Sequence, residues 1–273
     1  MIAEPLTQTP RPAKPRIRKT KAQTTLRWTI YVLVATTGYA LATIHTDHLN
    51  WGQALASFWH NLQLMIIQPH LGSDSIQELL AAFMNTASLA ILTTLIGAVL
   101  AFGLALPTAY GPKPVRTIMR SLMAVIRAIP TILWVLVYAV VIGLGNEAAV
   151  VGLTFHSVAY LTKAFAEAMS EVPHEKLAAL STTGCGFALV VRHALWPTVR
   201  ASLLSWSFIR FEINFTNAVA VGAAAGTGGI GYNLFMASAF NFDFQEVGAI
   251  VYGLLAFTIV LEWLAVRMRN VLN

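Results

Sequence analysis

Along this chain, stretches of about 20 nearly uninterrupted apolar residues alternate with shorter polar segments. A run of that length, at 1.5 Å per residue, matches the ~30 Å hydrocarbon core of a bilayer. The pattern predicts transmembrane helices near residues 28–45, 84–106, 121–144, 149–168, 200–222 and 247–266. The fourth is short and carries Lys163. A further apolar stretch, WGQALASFWHNLQLMII at 51–67, contains His60, Asn61 and two glutamines, which mark it for the outer surface rather than the bilayer. The expected fold is therefore all-α and integral to the membrane, with about six spans, or seven if 51–67 also crosses. A basic region precedes the first run, as in a secretory signal. That run is long and lacks an Ala-x-Ala-like cleavage site, so it reads as a retained span.

Composition agrees. Of 273 residues, 56% are hydrophobic and 11% charged, far below the roughly 25% charged of a soluble domain. The formal charge of +6 matters less than its placement. Arg11, Lys14, Arg16, Arg18, Lys19, Lys21 and Arg27 precede or open the first span, which reads as a topology signal rather than a nucleic-acid arm. With the N-terminus inside, Lys113, Arg116, Arg120, Lys176, Arg192, Arg200, Arg267 and Arg269 all fall inside. The outer segments 46–83, 145–148 and 223–246 contain neither Lys nor Arg. Both termini are therefore expected in the cytoplasm of a multi-pass cell-membrane protein. Three regions follow: a basic, lipid-facing tail at 1–26, a first helix with an external segment at 27–80, and a core at 81–273. The lone Cys185 excludes an internal disulfide and a multi-thiolate metal site.

The longest internal loop, 169–199, holds EKLAALSTTGCGFALVVRHALWPTVR from Glu175 to Arg200. Pro173 suits a first helical turn, Ala178 to Leu180 favour helix, Gly184 and Gly186 break it, and an apolar helix resumes before Pro197. The expectation is a short helix, a turn and a second helix along the membrane surface. An interfacial amphipathic hairpin with no partner would look the same.

Charges within spans cost about 2.5–3.5 kcal/mol each on insertion scales, so each needs a partner or a task. Arg127 and Lys163 lie near cytoplasmic ends, where they can snorkel. Arg210 and Glu212 lie deeper and, two residues apart, point in different directions; Glu212 is within reach of Arg127 or Lys163 from another span. Asn214, Thr216 and Asn217 add polar groups to the same span, as helix glue or as a wet lining.

Gly226, Gly228 and Gly231, with Gly229 between them, spell G-x-G-x-x-G. No predicted strand precedes the run, so a dinucleotide fingerprint is excluded in favour of close helix packing or a turn between spans. A Walker A loop is excluded because no lysine follows Lys176. His45, His48, His60 and His70 gather outside without a metal-binding spacing, and no hydrolase or metalloprotease motif is present. No metal site and no enzymatic turnover are expected of this chain.

Gly184 and Pro197, with AAL shortly upstream and an apolar pair before the proline, resemble the cytoplasmic EAA loop of ABC importer permeases. In that loop Glu-Ala-Ala is followed by Gly and then Ile-x-Leu-Pro. Ala179, Gly184 and Pro197 match in place; Ala178 stands at the Glu position, Leu180 at the second Ala, and Ala194 and Trp196 at the Ile and Leu positions. Glu175, nearly one turn upstream, is the acid nearest the missing one. RAIP at 127–130, VVIGLG at 140–145, IRFEINFTNAVAVG at 209–222 and GTGGIG at 226–231 together resemble permeases of phosphonate and phosphite importers, from about residue 80 onward. The resemblance implies a type I importer permease that moves a phosphorus oxyanion by alternating access. Its partners would be a second permease copy or paralogue, two cytoplasmic ATPases that carry the ATP and magnesium, an external binding protein and membrane lipid. No cofactor is implied in this chain and no nucleic acid as partner. The loop would be a coupling helix seated on the ATPase, and the glycine run would face the binding protein. An oxyanion would gain from a planar bidentate donor, which makes Arg210 a pathway candidate beside Arg127, Glu212, Asn214 and Asn217; an internal pair that fixes packing is the alternative for Arg210. Two other readings are a secondary transporter coupled to protons or sodium through Glu212 and a membrane enzyme or interaction protein.

Overall fold

The computed structural model describes residues 21–43, 50–72 and 75–272, and packing divides the chain into two units, 1–57 and 58–273. The first contains α1 (Lys21–Thr43), all of whose side chains are exposed. The expected span at 28–45 is thus helical from Lys21, and residues 44 and 45 lie outside the described residues, as do the basic side chains at 11–19. α2 (Trp51–Ile67) begins in the first unit and ends in the second.

The second unit is built on α3 (Ile76–Tyr110), α6 (Asn146–Ser170) and α9 (Trp196–Ala225), which pack pairwise against one another. α3 starts at a capping box: Glu78 N–H donates to Ser75 Oγ at 3.2 Å and Ser75 N–H donates to Glu78 Oε2 at 2.8 Å. Its 35 residues reach about 52 Å, well beyond the predicted 84–106. The face it buries is a run of small residues, Ala87, Ala90, Thr94, Gly97, Ala101 and Ala105, spaced three or four apart. In a bilayer the apolar effect does not drive helices together, so close backbone approach must. At Gly97 a Cβ would stand 2.9 Å from Ser157 Cβ on α6. Leu95, Val99 and Leu100 turn outward from the same helix.

The predicted third span is not one helix. It divides into α4 (Lys113–Ala128) and α5 (Thr131–Ile142), bent by 88°. Pro130 donates no N–H and disfavours the helical region at the residue before it; Ile129 accordingly sits at φ −92°, ψ 127°. Trp134 Nε1 bridges the corner to the Ile126 carbonyl at 2.9 Å.

After α6 come α7 (His174–Ser181) and α8 (Phe187–Val190), then a π-helical segment, Val191–Leu195, that runs directly into α9. The fifth predicted span therefore does not begin near 200: its helix is continuous with the loop before it. The supposed outer loop after α9 is largely helical, comprising α10 (Gly229–Phe235) and a π segment, Met236–Phe240. α11 (Phe244–Leu272) follows, its start held by Asp243 Oδ1, which accepts from Gln245 N–H at 3.1 Å and Glu246 N–H at 3.0 Å. The end of α2 rests on α11, with Tyr252 Oη donating to the Ile66 carbonyl at 2.8 Å.

Among the described residues three helices, α3, α6 and α11, are long and apolar enough to cross a membrane, and a fourth crossing exists if α4 and α5 form one broken span. α9 is long enough, but Arg200, Arg210 and Glu212 dilute its apolar character.

Apolar clusters occupy both halves of the bundle. One joins Ala101, Leu161, Phe165, Met169, Leu195 and Leu203. At the other end Phe83, Phe215, Ile230, Val247 and Ile250 pack together, beside Leu89, Val135, Leu153 and Val221. Between these ends, on all three central helices, lies a polar layer.

Candidate functional site

The hairpin at 174–195 is built as its sequence dictates. Pro173 precedes the first turn of α7, and Lys176 N–H returns to its carbonyl at 3.1 Å. Ser181, Thr182 and Thr183 fold their hydroxyls onto carbonyls three residues back, at 2.7–2.9 Å, and the helix ends there. Gly184 takes φ +79° with open space where a Cβ would lie, so the backbone conformation alone calls for glycine. Glu175, Ala178, Ala179 and Gly184 are all exposed. Phe187 and Leu189 are 58% and 47% exposed, so the hairpin presents an apolar rim. Pro197 does not end the second helix. It occupies the first turn of α9, and the wider π turn before it absorbs the missing donor, with Trp196 N–H reaching the Val191 carbonyl. Buried Leu195 and Val199 anchor this continuous rod in the bundle.

Along that rod, the polar layer centres on Arg210, which is 1% exposed. Its Nε donates to Ser157 Oγ at 2.9 Å, one terminal nitrogen meets His156 Nδ1 at 3.0 Å, and the guanidinium carbon lies 5.2 Å from the Tyr160 ring centroid. A guanidinium only donates, so His156 Nδ1 accepts and the ring proton sits on Nε2. Ser157 Oγ also accepts from Asn214 Nδ2 at 2.9 Å and passes its own proton to the Leu153 carbonyl at 2.6 Å. Asn214 Nδ2 further reaches Thr94 Oγ1 at 2.9 Å, and Thr94 donates to the Ala90 carbonyl at 2.7 Å. Thr93 stands 3.3 Å away. A cation is thus buried among neutral groups of α3, α6 and α9, with Ser157, Asn214, Thr93 and Thr94 hydrogen-bonded to one another or to their helix carbonyls.

The remaining pathway candidates separate. Glu212 is half-buried and faces a groove with α3 and α11 rather than the layer. Asn217 is half-buried one turn above Asn214. Arg127, in the last turn of α4, lines a cavity of about 400 Å³ with Arg120, Lys163, Glu167 and Glu171. Lys163 pairs with Glu167 at 3.4 Å along α6, both side chains more than half exposed. His60 and His70 are exposed, and His45 and His48 lie outside the described residues.

The glycine run forms a tight return. Gly226, Gly228 and Gly229 take φ of +62°, +69° and +72°, and α10 folds back so closely that a Cβ on Gly231 would collide with the Val219 carbonyl. Ile230 N–H docks on Thr86 Oγ1 at 3.1 Å and Asn85 Nδ2 on the Thr227 carbonyl at 3.4 Å. No strand precedes it among the described residues.

His156, Ser157, Thr93 and Thr94 complete the layer and were not singled out from sequence. The available signal was polar residues within otherwise apolar runs, LTTL at 92–95 and FHS at 155–157.

An all-α bundle whose third expected span is broken into α4 and α5, with an exposed hairpin and a returning glycine turn, is that of a polytopic membrane protein. Residues 94–273 match the family described as binding-protein-dependent transport system inner membrane component, and the chain belongs to that family. It is a multi-pass inner-membrane component of a transport system rather than an enzyme. It is 29% identical over 181 residues to the phosphite transport system permease protein PtxC of Stutzerimonas stutzeri, covering 65% of each chain. It is 27% identical over 196 residues to the phosphate-import permease protein PhnE of Mycolicibacterium smegmatis, covering 71% of this chain and 36% of that one. The chain thus spans just under two thirds of the length of PtxC and little more than a third of that of PhnE. In fold it matches a chain of the MetNI methionine ABC transporter in an inward-facing form, with a TM-score of 0.67 at 18% identity over 74% of this chain and all of the other.

Proposed function

We propose that this chain is the permease subunit of an ATP-driven importer that carries a phosphorus oxyanion, phosphonate, phosphite or a close relative, across the membrane by alternating access. The observation that carries the reading is mechanical. The second arm of the exposed hairpin, after the turn at Gly184, is one continuous rod with α9 through the π segment, and α9 bears Arg210 at the level where the three central helices meet. A displacement applied to the hairpin by cytoplasmic ATPases, which hold the ATP and magnesium, is delivered to that layer. The distribution of Lys and Arg favours the cytoplasmic side for the hairpin. The names of PtxC and PhnE support an oxyanion as cargo.

The anion's route needs positive charge matched to tetrahedral oxygens. Arg127 offers it at the cleft beside Arg120 and Lys163. Arg210 offers it in the layer, and because it is 1% exposed it becomes available only in a state where the layer has parted. Asn214 and Asn217 extend the polar track along α9, Glu212 flanks it, and the glycine turn is the surface offered to an external binding protein. A second permease, identical or paralogous, completes the passage.

Deleting the gene and supplying phosphite or a phosphonate as sole phosphorus source tests this. Growth is lost, is restored by the wild-type chain, and is not restored by Gly184→Asp, which reaches the membrane at normal abundance. Growth of the deletion strain at the wild-type rate on each of these sources refutes the cargo assignment.

A further inference from the structure

Two adjoining grooves run along the outside of the central helices. The first, about 850 Å³, lies between α3 and the rod of the π segment and α9, with Phe102 and Trp196 meeting edge-on at 5.4 Å between ring centroids in its wall. Arg192 and Arg200 flank this groove at its hairpin end. The second, about 360 Å³, continues between α3, α9 and α11; Leu95, Phe208, Phe211 and Leu261 make its wall almost wholly apolar, and the half-buried Glu212 also lines it, one residue beyond Phe211. Leu204 and Ser207 belong to both, so the two form one channel along α9.

Charge and length select the occupant. Both guanidiniums are exposed, and among the described residues neither is paired with a carboxylate. From Arg200 to Phe211 the helix rises about 16 Å, which is half of the ~30 Å hydrocarbon core and therefore one leaflet. The charged end lies beside the hairpin, and the apolar end stops near the level of Arg210, the middle of the bundle. A free oxyanion would satisfy the arginines and leave the apolar length unused. A neutral lipid would fill the length and leave two cations without a partner.

We propose that this channel is a binding site for one anionic phospholipid of the cytoplasmic leaflet, its phosphate held by Arg192 and Arg200 and an acyl chain laid along Leu204 toward Phe211. The site rests on the cytoplasmic placement of the hairpin and is independent of the cargo. Its lipid braces the rod against α3 at the point where the hairpin joins the bundle.

The full chain is reconstituted in nanodiscs of equal phosphatidylglycerol and phosphatidylcholine, extracted in mild detergent, and its retained lipid counted by native mass spectrometry. Phosphatidylglycerol is retained over phosphatidylcholine by roughly fivefold for each guanidinium. Arg192→Gln with Arg200→Gln brings the ratio to about one. Leu204→Trp, which fills the channel, lowers retention of both lipids while the chain still elutes as folded protein. A wild-type ratio near one overturns the proposal, as does an unchanged ratio in the double variant. So does a disulfide between two copies of a Leu204→Cys chain in a Cys185→Ser background, which would show the channel covered by a second chain. Wild-type growth of the deletion strain on phosphite and phosphonate, with lipid retention as predicted, would count against the cargo reading alone.

Discussion

A guanidinium shut among neutral groups is costly unless every donor and acceptor around it is used. Around Arg210 two of the five guanidinium N–H groups meet Ser157 Oγ and His156 Nδ1, Ser157 accepts twice and donates once, Asn214 spends its amide hydrogens on Ser157 and the Thr93–Thr94 pair, and both threonine hydroxyls end on carbonyls of α3. Asn214→Ala leaves Ser157 and Thr94 short of a partner, and is expected to lower stability by about 1–3 kcal/mol, read as a lower melting temperature of the purified chain in detergent. A melting temperature equal to wild type would mean the layer is not a structural joint. Arg210→Gln can still donate to Ser157, so it is expected to keep the assembly and lose transport; retention of both would remove Arg210 from the pathway. Sequence pointed to Arg210 and Asn214 because charge and amide stand out in a span. It did not supply Ser157 or the threonines, since hydroxyls that back-bond to their own helix are common in membranes and acquire meaning only when three helices bring them together.

Elements behave according to where their breaks fall. Pro130 divides one predicted span because Ile129 cannot remain helical, whereas Pro197, near the start of a helix, is absorbed by the π turn. An apolar run records thickness but not direction, so the 88° corner was invisible in it. The same limit hid α10, whose packing is set by missing Cβ atoms rather than by periodicity. Gly231→Ala must displace α10 from Val219 and is expected to abolish stable expression, while Gly38→Ala, with open space around it, is expected to be silent; equal membrane abundance of the two variants would contradict the close return. Gly184→Asn, which tolerates the left-handed region and adds no charge, is expected to retain more uptake than Gly184→Val, whereas Gly184→Asp tolerates the same φ but sets a carboxylate on the surface offered to the ATPase and is expected to lose uptake through that charge. The reverse order would show that side-chain volume, not backbone conformation, governs the hairpin.

For the whole molecule, fold class and membrane location were legible from composition and run length, because the bilayer imposes both. The family was legible from the hairpin and the motifs after residue 80. The number of crossings was not: six were expected, and among the described residues three helices, or four with the broken pair, meet the length and composition for it. Polar residues that serve the bundle's interior lower the mean hydropathy of α9, one of its three central helices. The exposed hairpin with its apolar rim is the surface on which the proposed cytoplasmic ATPase would seat, and that partner is the centre of the account. The most direct measurement is co-purification of tagged wild-type and Gly184→Asp chains from native membranes in mild detergent, with every recovered protein identified by mass spectrometry. The account predicts a Walker-motif ATPase with the wild-type chain and its loss with Gly184→Asp at equal membrane abundance. Recovery of the wild-type chain without any ATPase, or of the same ATPase with both chains, would contradict the assignment of residues 174–195 as the coupling element.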